Sequence, residues 1–330
     1  MKRRIAGLLT AALMLAALCS CGRADDGKYR IALISLDSVD QHWVYMNEGA
    51  QKAARECGCT VTFMSPGSMD DALSIEQINN AVAAQYDALL FAAGSHDAPV
   101  AALREADQAG VKIFYVDAHA NYPAVATFGT NNYVGAIEAG KNTLRLLTEA
   151  GVTEGKIGII GVKKSLPAVE ARIDGFCEVF KDTAFEILEV QQGEGDIAKS
   201  QEIAENYITQ GVVAIYGTNE SGSTGMGNAL KAAKDEDIIA VGFDNSDAIT
   251  ALRQEGYVRA SIVQNPNVMG YEAVRAAVAV LDGKDIGEVE MISDITPPDP
   301  SIKTPSAAGD EFRGRYYDTG VNVYRTGDGR

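Results

Sequence analysis

The sequence predicts an α/β fold of two lobes, each a parallel sheet with helices on both faces. From Tyr29 onward, short apolar runs alternate with amphipathic stretches of helical period, the pattern of successive βαβ units. The chain of 330 residues is also too long for one hydrophobic core of ordinary size. Right-handed crossovers then place helices on both faces of each sheet.

In the first half the expected strands are Arg30–Leu36, Thr60–Met64, Ala88–Ala93, Lys112–Val116 and Ala124–Phe128, with helices Trp43–Cys57, Ala72–Gln85 and Ala98–Gln108 between them. Gly58 follows the first helix as the residue that closes it, and Cys59 enters the next strand. Helix Tyr133–Thr148 opens a second series. Its strands are Lys156–Val162, Phe185–Gln191, Val213–Tyr216, Ile238–Phe243 and Ala260–Val263, and its helices Ala168–Val179, Ile197–Thr209, Ser223–Ala233 and Val268–Leu281. Pro297-Pro298-Asp299-Pro300 breaks the pattern, and residues 301–330 read as a surface-wrapping extension with little periodicity.

Ahead of the first strand stand Met1-Lys2-Arg3-Arg4, an apolar stretch from Ile5 to Leu18, and then Cys19-Ser20-Cys21-Gly22. A basic start, a short apolar region and a small residue before the cut mark an export signal, and the stretch is too short to span a bilayer. Its ending resembles the lipobox of bacterial lipoproteins. That likeness implies removal of residues 1–20, diacylglycerol on the Cys21 thiol, and a tether over 21–28 on the outer face of the bacterial cytoplasmic membrane.

Loss of Lys2, Arg3 and Arg4 with the signal takes the formal charge from -16 to -19. A nucleic-acid partner is therefore not expected, because phosphate binding needs a basic face. Beyond the signal the cysteines are Cys57, Cys59 and Cys177, an odd number that excludes a complete disulfide framework. Cys57 and Cys59 read as small buried hydrophobes rather than as a metal pair or a strained disulfide.

Signatures of catalysis are weak. Gly135–Lys141 has the spacing of a phosphate loop, but Asn142 stands where Ser or Thr would hold magnesium, and the segment reads as mid-helix. No nucleophile elbow is present, Gly222-Ser223-Thr224-Gly225 being the nearest run. His42, His96 and His119 all fall just beyond strand ends, but their spacing matches no metal motif. No catalysis, cofactor or metal is expected.

Several strands end at the same kind of residue: Asp37, Asp117, Asn219 and Asp244. In open parallel sheets the crevice beyond the carboxyl ends of the strands holds ligands, so these groups are placed to face a cleft. The same positions also suit helix N-caps.

The segments Ile31–Ser35, His42-Trp43, Gly49–Lys52, Tyr115–Asp117, Gly129–Asn132, Arg172–Phe176, Thr218–Glu220, Val241–Asp244 and Gln264–Pro266 follow a familiar order and spacing. They resemble the sugar-binding branch of type 1 periplasmic binding proteins, most of all the ribose-binding proteins of ABC importers. The likeness runs from about Tyr29 to Gly283. It implies two Rossmann-like lobes joined by a three-strand hinge, with crossings near Thr130–Asn132, Gln264 and Ile292–Thr296. The first lobe would then hold 29–130 and 265–294, and the second 131–264 and 295–330.

Carried over position by position, His42 and Trp43 match the aromatics that stack on the sugar, and Asp117 matches the acid that takes two hydroxyls. Arg172, Asn219, Asp244 and Gln264 match the polar ligands of the second lobe and hinge. This sequence departs from the ribose pattern at Ala118 in place of Arg, Ala92 in place of Asn, Asp40 in place of Asn, and Gly195 in place of an aromatic. A wider cleft with a more negative balance follows. The resemblance implies a monomer that passes a small neutral sugar or polyol to an ABC transporter permease. The alternative is a receptor for a sugar or autoinducer-like ligand that docks to a membrane sensor.

Overall fold

The computed structural model describes residues 28–38, 40–164, 166–290 and 314–327. The export segment, Cys21, Ile292–Thr296 and Pro297–Pro300 lie outside the described residues.

The first lobe carries strands β1 (Arg30–Ile34), β2 (Thr60–Met64), β3 (Ala88–Phe91), β4 (Lys112–Val116) and β5 (Ala126–Gly129). Its helices are α1 (Gln41–Cys57), α2 (Asp71–Ala83) and α3 (Val100–Gln108). The second lobe begins with α4 (Asn132–Glu149) and β6 (Gly155–Gly161), followed by α5 (Pro167–Phe180), β7 (Phe185–Ile187), β8 (Gln191–Gln192) and α6 (Ile197–Thr209). It continues through β9 (Ala214–Gly217), α7 (Glu220–Ala233), β10 (Ile239–Phe243), α8 (Asp247–Gln254) and β11 (Ala260–Gln264). Helix α9 (Pro266–Leu281) returns to the first lobe, and β12 (Arg315–Asp318) and β13 (Val321–Arg325) follow.

The first sheet has the order β12-β5-β4-β3-β1-β2 and the second β13-β11-β10-β9-β6-β7, with β8 also paired to β6. All pairings are parallel except β13 against β11. Each sheet is apolar on both faces. In β1, Ile31 and Leu33 join one cluster with α1 and α9, while Ala32 and Ile34 join another under α2 and α3. A strand buried on both faces must read as a continuous apolar run, which is how β1 reads in the sequence.

Local chemistry ends the elements where it should. Gly58 closes α1 at φ 67°, a left-handed turn that costs glycine nothing. Asp70, Asn131, Asp196, Asn219 and Ser246 each accept a backbone N–H at the start of the following helix. Helices α1 and α9 touch backbone to backbone: a Cβ on Gly49 would lie 1.9 Å from the Asn267 carbonyl oxygen.

Among the described residues three crossings join the lobes: Thr130–Asn131 between β5 and α4, Gln264–Asn265 between β11 and α9, and Thr319–Gly320 between β12 and β13. The third differs from the expectation at Ile292–Thr296. It also moves a boundary, since Arg315–Asp318 lies in the first sheet rather than in the second lobe. The sequence shows only an extension with little periodicity here, because strands of four or five residues are too short to display a period. Packing sets them instead: Tyr317 stacks on Phe128 with ring centroids 4.9 Å apart.

The crossings are laced to one another. The Asp318 carboxylate accepts the backbone N–H of Asn131 at 3.1 Å and of Gly320 at 2.9 Å. The Asn265 amide donates to the Thr319 carbonyl at 2.6 Å and accepts from Asn322 at 2.7 Å.

Candidate functional site

Residues at or just beyond the carboxyl ends of strands in both sheets line one cleft between the lobes. Leu36, Ala93 and Asp117 come from the first, and Val162, Asn219, Asp244 and Gln264 from the second. The cleft holds about 570 Å³ of space outside protein atoms, part of it open to solvent, within the range of small-ligand sites. Asp40, His42, Trp43, Asp117, Arg172, Asn219, Asp244 and Gln264 all line it.

Asp117 and Asp244 occupy equivalent positions. Each follows a strand, β4 or β10, and each has a left-handed backbone, at φ 64° and 71°. A left-handed aspartate stores strain, and such strain gathers at functional sites. A backbone bond holds each turn: Asp117 N–H donates to the Phe128 carbonyl at 2.8 Å, and Asp244 N–H to the Ile262 carbonyl at 2.7 Å.

On the first lobe, His42 and Trp43 open α1 and meet edge to face at 4.7 Å. His42 Nε2 stands 3.7 Å from Asp117 Oδ1, too far for a hydrogen bond. Both atoms are buried without a hydrogen-bond partner in the protein, as is the indole Nε1 of Trp43. Trp43 also belongs to the core cluster of this lobe, so its ring has one side in the core and an edge on the cleft.

The second lobe is tied together more fully. Arg172 Nε donates to Asn132 Oδ1 at 2.8 Å, one terminal nitrogen donates to the Thr218 carbonyl at 2.9 Å, and the guanidinium lies 3.9 Å from the centre of the Phe243 ring. The same nitrogen is 3.5 Å from Asp244 Oδ2. Gln264 donates to Asp244 Oδ1 at 2.7 Å, leaving its own carbonyl oxygen buried and unpaired. Asn219 spends its amide within the first turn of α7, accepting from Gly222 N–H at 3.0 Å and donating to Ser221 at 2.8 Å. It is thus a helix cap that also borders the cleft.

Asp40 precedes α1 but makes no side-chain cap. Burial, then the nearby Asp37 and Asp244 carboxylates, push its carboxyl up to about 8 against the opposing pull of Arg172. Glu220, the first residue of α7, is raised to about 8 by burial first and then by Asp40 and Asp244. Backbone N–H groups of Gln41 and His42 on the opposite lobe oppose that rise. The Gln41 N–H donates to Glu220 Oε2 at 2.9 Å, Asp247 N–H to Gln41 Oε1 at 3.2 Å, and Lys163 Nζ to the Met69 carbonyl at 3.2 Å. These bonds join the two lobes across the cleft, so the structure is a closed form.

Sequence reasoning missed part of the wall. Met69 from the first lobe and Val162, Leu166 and Val169 from the second form an apolar cluster at one side of the cleft. Met69 lies in a turn with no periodic pattern to mark it. Its side chain fills the space beside Gly195, where an added Cβ would come 3.7 Å from the Met69 methyl, so the small residue there does not simply widen the cleft. Ala92 is buried in the first core, and Ala93 lines the cleft instead. Asp37 does not line it; its carboxylate accepts the Asp40 N–H at 3.0 Å and holds the loop before α1. His96 and His119 pair with each other at 5.0 Å, apart from the cleft-lining His42. Among the described residues no group of three or more His, Cys, Asp or Glu could hold a metal ion, and no helix is long and apolar enough to cross a membrane. Cys57, Cys59 and Cys177 are free thiols.

Two α/β lobes, a hinge of three crossings and a cleft with polar groups facing an apolar wall define a small-molecule binding protein that closes around its ligand. Residues 31–285 match the periplasmic binding protein domain, and the chain belongs to that family. It is 24% identical over 287 residues to the ribose import binding protein RbsB of Escherichia coli, covering 86% of this chain and 94% of that protein. It is 30% identical over 254 residues to a D-apiose import binding protein of Actinobacillus succinogenes, covering 74% and 76%. Among solved structures it is similar to a carbohydrate transporter solute binding protein of Agrobacterium radiobacter in complex with D-arabinose. That likeness has a TM-score of 0.78 and 22% identity, and covers 93% of this chain and 96% of the other.

Proposed function

We propose that this protein captures a small neutral sugar or polyol between its lobes and hands it to an ABC transporter permease. It works outside the cell as a monomer, without catalysis, held to the membrane by lipid on Cys21. The observation that carries the reading is the set of buried, unpaired polar atoms on facing walls, His42 Nε2 and Asp117 Oδ1 against Gln264 Oε1. Buried polar groups are normally paired, so unpaired ones in a cleft suit a ligand rich in hydroxyls. Each hydrogen bond to a charged group contributes about 1.5–3 kcal/mol. The Trp43 ring and the apolar side of the cleft suit the C–H faces of a sugar. An anionic ligand is disfavoured, because Asp117 and Asp244 outnumber Arg172 along the walls and repulsion is little screened in a closed cleft. The Leu18–Cys21 sequence supports the anchor, and a diacylglycerol supplies the second chain that stable anchoring needs.

Calorimetry and thermal-shift titration with D-ribose, D-apiose, D-arabinose, D-ribose 5-phosphate and D-ribonate test the ligand class. Saturable binding of at least one neutral sugar is expected. Selective stabilisation by the phosphate or the acid overturns the reading. The anchor is tested separately with Cys21→Ser, which should release the protein from membranes or leave it unprocessed.

A further inference from the structure

Glu220 lies outside the set of contacts that the family pattern implies, yet it bridges the lobes. The first N–H groups of a helix have no partners within it, and they favour an anion. At α1 the residue placed to supply one, Asp40, caps nothing with its side chain. Glu220 serves the Gln41 N–H instead, from the start of α7 in the opposite lobe. This bond can exist only when the lobes are closed.

Closure therefore brings two carboxyl groups from opposite lobes to the same helix start. The charged and titratable groups around them are Asp37 in the loop after β1, His42 on α1, Asp117 after β4, Arg172 on α5 and Asp244 after β10. Arg172, the cation among them, is already bonded to Asn132 and Thr218 and lies beside Asp244. Neighbouring buried carboxylates resist being ionised together.

We propose that Glu220 is a closure residue, a helix cap supplied across the cleft, and that with Asp40 it couples closing of the lobes to uptake of a proton. The inference rests on the reading of the cleft as a clamp, and it holds whichever sugar the clamp takes.

The sign follows from linkage. Apart and in water, the two carboxyls titrate in the ordinary carboxylate range; together in the closed form they keep a proton up to about pH 8. Closure is thus most favoured below the ordinary range and weakens as pH rises through it toward about 8. For one proton the closed-to-open ratio falls by up to about tenfold per pH unit in that window.

Single-molecule energy transfer tests this in the full chain, with dyes on non-natural residues at positions 76 and 202, both exposed and on opposite lobes. Without sugar, the closed fraction should rise severalfold as pH falls from 8.5 to 5.5. Glu220→Gln keeps an acceptor for Gln41 without the charge, so it should raise the closed fraction at pH 8.5 and flatten the response. Glu220→Ala removes the cap and should lower the closed fraction at every pH. A closed fraction indifferent to pH, or an unchanged slope in Glu220→Gln, overturns the proposal. The same molecules titrated with D-ribose, D-apiose and D-arabinose separate the two questions. If no sugar closes the protein the sugar reading fails, while the sugar-free response to pH still decides the role of Glu220.

Discussion

The two lobes place the same device at the same point and finish it differently. Asp117 and Asp244 share a strand end, a left-handed backbone and a hydrogen bond to the neighbouring strand. Asp117 Oδ1 then has His42 Nε2 at 3.7 Å and no hydrogen-bond partner, whereas the Asp244 carboxylate is gripped by Gln264 and approached by Arg172. The first lobe leaves His42 Nε2, Trp43 Nε1 and Asp117 Oδ1 without a partner in the protein. The second uses most of its hydrogen-bonding capacity to fix its side chains in place, so fewer rotamers remain to be frozen when a ligand arrives.

The largest expected effect tests the second lobe. Asp244→Ala strips a partner from two buried groups, Arg172 and Gln264, and breaking a buried charged pair costs about 3–5 kcal/mol. Urea unfolding of the ligand-free protein should show a loss of that order. If Asp117→Ala costs the same, the contrast between the lobes is wrong.

Next comes Asp117 itself. Asp117→Ala should weaken binding of whichever neutral sugar the calorimetric screen identifies by about 2–3 kcal/mol, the worth of a charged hydrogen bond and some desolvation. Its stability without ligand should fall by no more than about 1 kcal/mol, the cost of alanine at a left-handed backbone. A smaller and opposite effect is expected from Asp117→Gly, since glycine adopts a left-handed backbone without strain. That variant should be more stable by up to about 1 kcal/mol and bind no better than the alanine variant. Added stability with intact binding would mean the carboxylate does not touch the ligand.

The mildest probe is optical. Trp43 is the only tryptophan in the chain; it lines the cleft, and its indole N–H is buried without a partner. Its emission should change saturably as the same sugar is added, without labelling or mutation. Flat emission while calorimetry shows binding would return Trp43 wholly to the core of the first lobe.

What the sequence reveals follows from where the physics is local. Strands buried on both faces read as apolar runs, so β1, β3, β9 and β10 are visible without a structure. Asp117 and Asp244 stand out because a polar residue ending such a run has few places to point except the cleft. Glu220 is invisible for the opposite reason: its partner, the start of α1, is 179 residues away, and only closure of the lobes joins them. Asn219 looks like a ligand contact and spends its amide as a cap, since both roles ask for the same residue at the same junction. Met69 and the crossing at Thr319–Gly320 depend on packing between distant segments, which leaves no period in the chain.

That last crossing has a consequence for taking the molecule apart. Thr319 Oγ1 donates to the Gly129 carbonyl across 190 residues of chain, at the point where β12 leaves the first sheet for β13 in the second. Each sheet borrows an edge strand from this late segment, so neither lobe is a continuous stretch that could be cut out and expressed. An isolated first lobe needs a splice from β5 to α9 and must retain β12, and an isolated second lobe needs a new linker from β11 to β13. The pair behaves as one module for recombination: lobes can be exchanged between relatives only by editing three junctions together.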